Sequence, residues 1–289
     1  MIAVILVGGE GTRLRPLTEW LPKAMLPIAN KPFLEHQIDH LRRHGVTRVI
    51  LSCGYLPEPI RQHFGDSLEY AVEPEPLGTG GAIAFAAAGI GEAFVVCNGD
   101  VLTDLDLSEL VAMHRRHGAS ATIALHRVDD PSAYGLVRTD GEGVVTAFIE
   151  KPPPGEADTD TINAGTYVLE PSVLALIPPG RMVSVEREVF PRLIGEGLYA
   201  RVGRGSWRDI GTPASYLAAN LERMPPGGAI DSSAVVEPGA DVTESVIGAG
   251  ARVAAGARIH RSVVVPGAVV GSQARFDGQV VGQAGEAVG

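Results

Sequence analysis

The chain has 289 residues, 45% hydrophobic and 20% charged, which supplies a sizeable core and excludes general disorder. Its 24 basic and 34 acidic residues give a formal charge of −10 with no basic run, so a nucleic-acid partner, which needs clustered Lys and Arg, is not expected. No stretch approaches the ~18 apolar residues of a membrane span, and the opening run is too short for a signal-peptide core.

In chain order, Ile2–Val7 is a β-branched run suited to a strand buried on both faces. Phe33–His44 has helical spacing (Phe33, Leu34, Ile38, Leu41), with Pro32 before it and Gly45 to end it. Val46–Leu51 predicts a strand, Pro59–Phe64 a short helix, Leu68–Val72 a strand, Gly81–Ala88 an Ala-rich helix and Ala93–Cys97 a buried strand. Leu107–His117 is an amphipathic helix, and Ala121–Leu125, Val144–Ile149 and Ala164–Leu169 are strands, the second stopping at Pro152-Pro153-Pro154. Val185–Ile194 and Ala214–Leu221 supply further helices. Strands alternating with helices predict an α/β domain over residues 1–224: a Rossmann-like, mixed, mainly parallel sheet with helices on both faces.

At Met224-Pro225-Pro226-Gly227-Gly228 the character changes. Apolar residues recur at Ile230, Val236, Val242, Ile247, Val253, Ile259, Val264, Val270 and Phe276, a pattern that repeats every 17 residues. Small residues stand four positions after most of them, among them Ala234, Ala251, Ala257 and Ala268. One inward aliphatic per flat face and a small residue at each tight corner predict a short left-handed parallel β-helix over 228–277. Its open ends suggest a homo-oligomer. Residues 278–289 are expected to be a flexible tail.

The first strand runs into Gly8-Gly9-Glu10-Gly11-Thr12-Arg13-Leu14-Arg15-Pro16, a turn whose backbone N–H groups can approach a phosphate closely because no Cβ intervenes. It lacks the Gly-Lys-Ser/Thr ending of a P-loop and has Leu14 where a dinucleotide fingerprint needs Gly. Arg13, Arg15 and Lys23 follow closely, and three cations behind an oxygen-cradling turn suit a triphosphate. The lysine is notable because the chain has only three, Lys23, Lys31 and Lys151. Asp100 follows the end of the fourth strand, where open α/β sheets bind ligands, and Asp209 precedes a helix. Two carboxylates from distant loops, joined by phosphate oxygens, are one way to hold Mg²⁺; a lone loop Asp serves equally as a turn or cap residue. Glu150-Lys151, closing a strand, offers an acceptor for sugar hydroxyls and a point charge for a second phosphate, or else an exposed surface pair.

The glycine turn, Pro22-Lys23, Glu75-Pro76-Leu77-Gly78-Thr79-Gly80, Asn98-Gly99-Asp100, Tyr134-Gly135, Glu150-Lys151-Pro152, Asn163-Ala164-Gly165 and Trp207-Arg208-Asp209-Ile210-Gly211 occur in the order seen in the sugar nucleotidyltransferases. The resemblance covers about residues 1–276 and is strongest to guanylyltransferases acting on mannose 1-phosphate, including Ser184-Val185-Glu186-Arg187-Glu188-Val189-Phe190-Pro191 and the β-helix. It implies transfer of a nucleotidyl group from an NTP to a sugar 1-phosphate with release of pyrophosphate. It further implies that Gly8, Gly9, Gly11 and Thr12 cradle the nucleotide, and that Arg13 and Lys23 grip the triphosphate. Asp100 and Asp209 would hold Mg²⁺, and Gly135, Glu150, Lys151, Asn163 and Gly165 the sugar phosphate. The base-facing positions would be Glu73 and Gly78; a carboxylate matches the two N–H groups of guanine, so GTP is expected over dTTP. Thymidylyl transfer to glucose 1-phosphate, guanylyl transfer to a heptose 1-phosphate and a non-catalytic regulatory subunit are the alternatives.

His36, His40 and His44 stand four apart on one helix face, and a surface reading is preferred to a metal site because no HExxH or Cys accompanies them. Cys97 is expected in the core, and His260 stands in a β-helix too short for an acyl-CoA groove. Two cysteines without CxxC spacing give neither a disulfide framework nor a zinc site, so a cytoplasmic setting is expected.

Overall fold

A computed structural model describes residues 1–9, 11–54, 57–153 and 157–288; Glu10 of the glycine turn, Pro154 of the proline run and Gly289 lie outside the described residues. The chain divides into two compact units, Met1–Gly9 with Gln37–Trp207, and Glu10–His36 with Arg208–Gly289.

The first unit is built on β1 (Ile2–Leu6), β2 (Arg48–Cys53), β3 (Glu69–Val72), β4 (Phe94–Asn98), β5 (Ala121–Arg127), β6 (Gly135–Thr139), β7 (Val145–Glu150), β8 (Thr161–Leu169) and β9 (Leu198–Val202). They form one mixed sheet in the order β7-β6-β8-β4-β1-β2-β3, with β5 on β8 and β9 on β5. β1 is flanked by parallel partners on both sides, Val4 facing Ile50 on β2 and Val96 on β4. That position explains its unbroken apolar run, since both faces of a central parallel strand are buried. β8 runs antiparallel to β4 and β5, and its pairing with β5 shifts between Asn163 and Tyr167. Such an irregularity re-aims side chains, and it takes in Ala164 and Gly165 of the Asn163-Ala164-Gly165 motif.

The helices are α1 (Phe33–Arg43), α2 (Pro57–Phe64), α3 (Gly78–Ala86), α4 (Leu107–His117), α5 (Phe190–Leu193) and α6 (Pro213–Arg223). Asp106 caps α4 by accepting from the N–H groups of Ser108 and Glu109, and Gly118 ends it in the left-handed conformation. The continuous helix expected over Val185–Ile194 is replaced by a wide turn, Val185–Val189, in which the Phe190 N–H reaches back to the Val185 carbonyl, followed by the short α5. Pro191 has no N–H and cannot close an ordinary helical bond there. β6 and β9 were not among the predicted strands. Both are short, and β6 opens on a glycine and carries Arg138, which weakens its pattern.

In the second unit, three ladders of parallel strands stack at 17-residue steps: Gly228–Ile230 on Ser245–Ile247, Val235–Val236 on Arg252–Val253, and Asp241–Thr243 on Arg258–His260, each continued in later coils. Ile247, Val253, Ile259, Val264 and Val270 are buried inside and Ala251, Ala257 and Ala268 fill the corners, as expected of a left-handed parallel β-helix. The flexible tail is corrected: Val280–Val281 stacks parallel on Val263–Val264, and Ala287–Val288 pairs antiparallel with it. Val281 stands 17 residues after Val264 and keeps the inward phase, so hydrophobic burial carries the coil beyond Gly278.

Residue 224, the expected end of the first domain, lies inside the second compact unit. The Tyr216 hydroxyl of α6 donates to the Pro27 carbonyl, the Asn220 side chain accepts from the Ala29 N–H, and the Asn30 amide donates to the carbonyls of Ala229 and Ile247. These bonds tie the segment after the glycine turn to α6 and the first two coils.

His40, in the first unit, has its pKa lowered to about 4, mainly by burial and then by the neighbouring His44 and Arg43. Below pH 6.5 the unfolded chain takes up this proton before the folded one does, so the associated stability is lost as pH falls from 6.5 toward 4. Between pH 7 and pH 5 the urea-unfolding free energy should fall by about 2 kcal/mol more in the native protein than in His40→Gln.

Candidate functional site

In the first unit, the end of β1 sets one cluster. A Cβ on Gly8 would lie 3.4 Å from the Gly54 nitrogen and 3.9 Å from Glu73 Oε1, so Gly8 brings the chain directly against that carboxylate; nothing lies within 4 Å of the Cβ position of Gly9. Glu73 Oε1 accepts from the Ser52 hydroxyl at 2.9 Å and Oε2 from the Leu77 N–H at 3.1 Å, which fixes the carboxylate beside the start of α3. Glu75, two residues further on, is exposed. Gly78 has φ +71°, and a Cβ there would lie 2.6 Å from the Val183 carbonyl oxygen. The Gly80 N–H donates to that same oxygen at 2.8 Å, so the head of α3 is bonded to the segment leading into the wide turn.

A second cluster surrounds the ends of β4, β7 and β8. The Gly99 N–H donates to the Leu6 carbonyl at 2.8 Å, so closely that a side chain at Gly99 would overlap that oxygen. Asn98-Gly99-Asp100 is therefore pinned to the end of β1. Gly165, φ +70°, lies against Asn98: a Cβ there would be 2.7 Å from its Nδ2. Asn163 Oδ1 accepts from the Gly165 N–H and Nδ2 donates to the Tyr167 hydroxyl at 2.9 Å. Gly135 faces Glu150 across β6 and β7, where a Cβ would be 2.6 Å from Glu150 Oε2. Burial and the nearby Glu186 carboxylate push the Glu150 carboxyl up, and Lys151 and Arg187 oppose this. Lys151 is exposed and in the left-handed region at φ +51°. The Tyr167 phenol is pushed well up by burial and then by the negative charge of Glu186, with Glu150 and Asp100 adding to it, so these carboxylates share one neighbourhood.

The second unit holds the remaining residues. Gly11, φ +62°, is packed so that a Cβ would lie 2.9 Å from Thr18 Cγ2 and 3.3 Å from Lys23 Cβ, and its carbonyl accepts from the Thr18 hydroxyl. The stem of Lys23 thus packs against Gly11. Thr12–Leu14 is a single tight turn that follows. Arg13 reaches the start of α6: a Cβ on Gly211 would be 3.0 Å from Arg13 Nη2 and 2.8 Å from Asp209 Oδ2. Only a glycine leaves room for both groups. Thr212 and Ser215 form a reciprocal cap at the first turn of α6.

Residues 2–224 match the family model for nucleotidyl transferases. The chain belongs to this family. Residues 220–286 match the C-terminal hexapeptide model of GlmU-like proteins, in agreement with the β-helix. The mannose-1-phosphate guanylyltransferase of Mycobacterium tuberculosis is 44% identical over 272 residues, covering 86% of this chain and 75% of that protein. Probable mannose-1-phosphate guanylyltransferase 3 of Oryza sativa subsp. japonica is 44% identical over 230 residues, and the chain spans 63% of its length. HddC from Yersinia pseudotuberculosis, solved in complex with GMP-PN, has a TM-score of 0.65 at 32% identity, covering 76% of this chain and 98% of that one.

Glu186, Thr79, Asn98 and Tyr167 belong to these clusters but were not singled out from the sequence as site residues. Glu186 Oε2 accepts from the Thr79 hydroxyl at 2.6 Å and the Ser184 hydroxyl at 2.8 Å, which links the head of α3 to the neighbourhood of Glu150. The signal was present in the Ser184–Pro191 stretch, but no spacing rule ties it to Thr79 across more than a hundred residues. The histidines have separate partners: His36 Nε2 lies 3.0 Å from the Ile28 carbonyl, and His44 Nδ1 lies 2.9 Å from the Ser108 hydroxyl. Cys97 is buried, with its thiol pushed up to about 12 by desolvation, as a core residue would be.

Gly78→Ala would combine a positive φ with a backbone clash at Val183. It should destabilise the protein by about 2 kcal/mol or more, read as a lower Tm by differential scanning fluorimetry.

Proposed function

We propose that the chain transfers a guanylyl group from GTP to mannose 1-phosphate, giving GDP-mannose and pyrophosphate. The observation that carries the base assignment is Glu73, a carboxylate held beside Gly8 by Ser52 and the Leu77 N–H. Both its oxygens have a fixed direction and each keeps a lone pair, which suits the paired N1–H and N2–H₂ donors of guanine and not the single N–H of thymine. The names of the relatives at 44% identity support the same substrate pair, and HddC with its bound GMP-PN supports a guanine nucleotide.

In this reading Gly8, Gly9, Gly11 and Thr12 cradle the nucleotide and Glu73 and Gly78 face the base. Arg13 and Lys23 meet the triphosphate. Gly135, Glu150, Lys151, Asn163 and Gly165 hold the sugar phosphate, and Asp100 and Asp209 each give a carboxylate to Mg²⁺. Hard carboxylate oxygens fit that ion, and two of them leave coordination positions for phosphate oxygens, as Mg²⁺ prefers. When bound, the ion neutralises charge on the phosphates.

An oxygen of the sugar phosphate, already anionic at neutral pH, attacks the α-phosphorus of GTP in line. The new P–O bond forms as the α–β anhydride bond breaks, and pyrophosphate leaves with the electron pair. No general base is needed, so the protein's work is to position two mutually repelling anions and stabilise the charge on the departing pyrophosphate. Arg13 and Lys23 do the latter.

No helix among the described residues is long and apolar enough to cross a membrane, and both cysteines are free thiols. These features accord with a cytoplasmic enzyme. Exposed apolar residues on the β-helix, Ile230, Val235 and Val269, accord with association into a homo-oligomer.

A pyrophosphate-release assay over a matrix of NTPs and sugar 1-phosphates with Mg²⁺ should give its highest kcat/KM for GTP with mannose 1-phosphate; equal turnover of GTP and dTTP would refute the role of Glu73. Arg13→Ala should lower kcat by about 10²-fold or more, and an unchanged kcat would remove Arg13 from the mechanism.

A further inference from the structure

α1 buries a face of Phe33, Leu34, Ile38 and Leu41, each no more than 1% exposed. Gln37 stands on that same face, one turn from Phe33, Leu34 and Leu41, and is itself only 8% exposed. The helical pattern calls for an aliphatic residue here. A buried amide is instead present, and its Oε1 has no hydrogen-bond partner among the described residues. Leaving a buried oxygen unpaired is unfavourable, so the residue must be kept for its other end.

That other end makes two bonds. Gln37 Nε2 donates to the Asn98 carbonyl at 2.9 Å and to the Val101 carbonyl at 2.8 Å. Both partners are carbonyls, which only accept, so the amide nitrogen must face them. The two carbonyls bracket Gly99 and Asp100. Gln37 thus closes the turn from behind, while the Gly99 N–H bond to the Leu6 carbonyl holds it from the β1 side.

We infer that Gln37 is a positioning residue: its amide staples the Asn98–Val101 turn and so sets where the Asp100 carboxylate stands for the reaction. This rests on the metal role given to Asp100 in the proposed function. It adds that the precision of that carboxylate is supplied by a side chain from α1 that touches neither substrate nor ion. Loss of the amide leaves two carbonyls without their donor and lets the turn relax, and displacements of an ångström or less at a reacting site are costly in rate.

The test uses the full chain with Gln37→Met, which preserves length and apolar packing but donates nothing. Gln37→Asn is a second variant, whose amide is one methylene too short to reach both carbonyls. Mn²⁺ binding in the presence of GTP, without sugar phosphate, is followed by electron paramagnetic resonance of the free ion. Metal-free GTP binding and Tm are measured beside it, with Asp100→Asn as reference. Both Gln37 variants should weaken Mn²⁺ binding about tenfold, leave metal-free GTP binding within twofold and need more Mg²⁺ for half-maximal turnover. A purely structural Gln37 would change Tm alone. Mn²⁺ binding within twofold of the native protein in the Gln37 variants, with Asp100→Asn impaired, overturns this inference and leaves the proposed function standing; unchanged binding in Asp100→Asn overturns both.

Discussion

The first unit's site depends on one close approach, the seating of Gly99 on the carbonyl of Leu6. The bond between them is 2.8 Å, and no side chain fits at residue 99. Because β1 is central in the sheet, its end is a rigid reference point, and whatever is fastened to it inherits that rigidity. Asn98 is fastened in this way, Gly165 packs against Asn98, and Asn163 then bonds both Gly165 and Tyr167. A chain of short contacts thus runs from the core of the sheet to the carboxylates near Tyr167.

The second unit uses the same device in another place. Gly211 leaves space where a Cβ would meet both Arg13 and Asp209, and Gly11 leaves space beside Lys23. In each case glycine's value lies in the absence of a side chain, which at Gly211 lets the Arg13 and Asp209 charged groups approach the backbone and at Gly11 lets the Lys23 stem pack close.

Burial of like charge is the cost of this arrangement in the first unit. Burial and the neighbouring Glu186 carboxylate raise the affinity of Glu150 for a proton, and Tyr167 beside them is held firmly neutral. The carboxylates are tolerated because each has specific support: Glu186 accepts from two hydroxyls, and Glu150 lies under the influence of Lys151 and Arg187. The wide turn at Val185–Val189 presents Glu186 while burying Val185 and Val189, and unusual helical turns of this kind recur where a side chain must be aimed.

By itself the sequence determined the alternation of strands and helices, the 17-residue phase of the β-helix and the glycine, lysine and aspartate motifs, because each is written in local spacing and residue type. The last coil, read from the sequence as a flexible tail, keeps that phase at Val281, where stacking on Val263–Val264 completes it. Only tertiary structure decided that Gln37 turns an amide toward Asn98 and Val101, that Thr79 meets Glu186, and that the segment after the glycine turn bonds to α6 and the first coils. Those pairings join residues far apart in the chain, and no periodicity encodes them. They follow from which carbonyls and carboxylates the packed elements leave in need of a donor, and that demand exists only once the elements are in place.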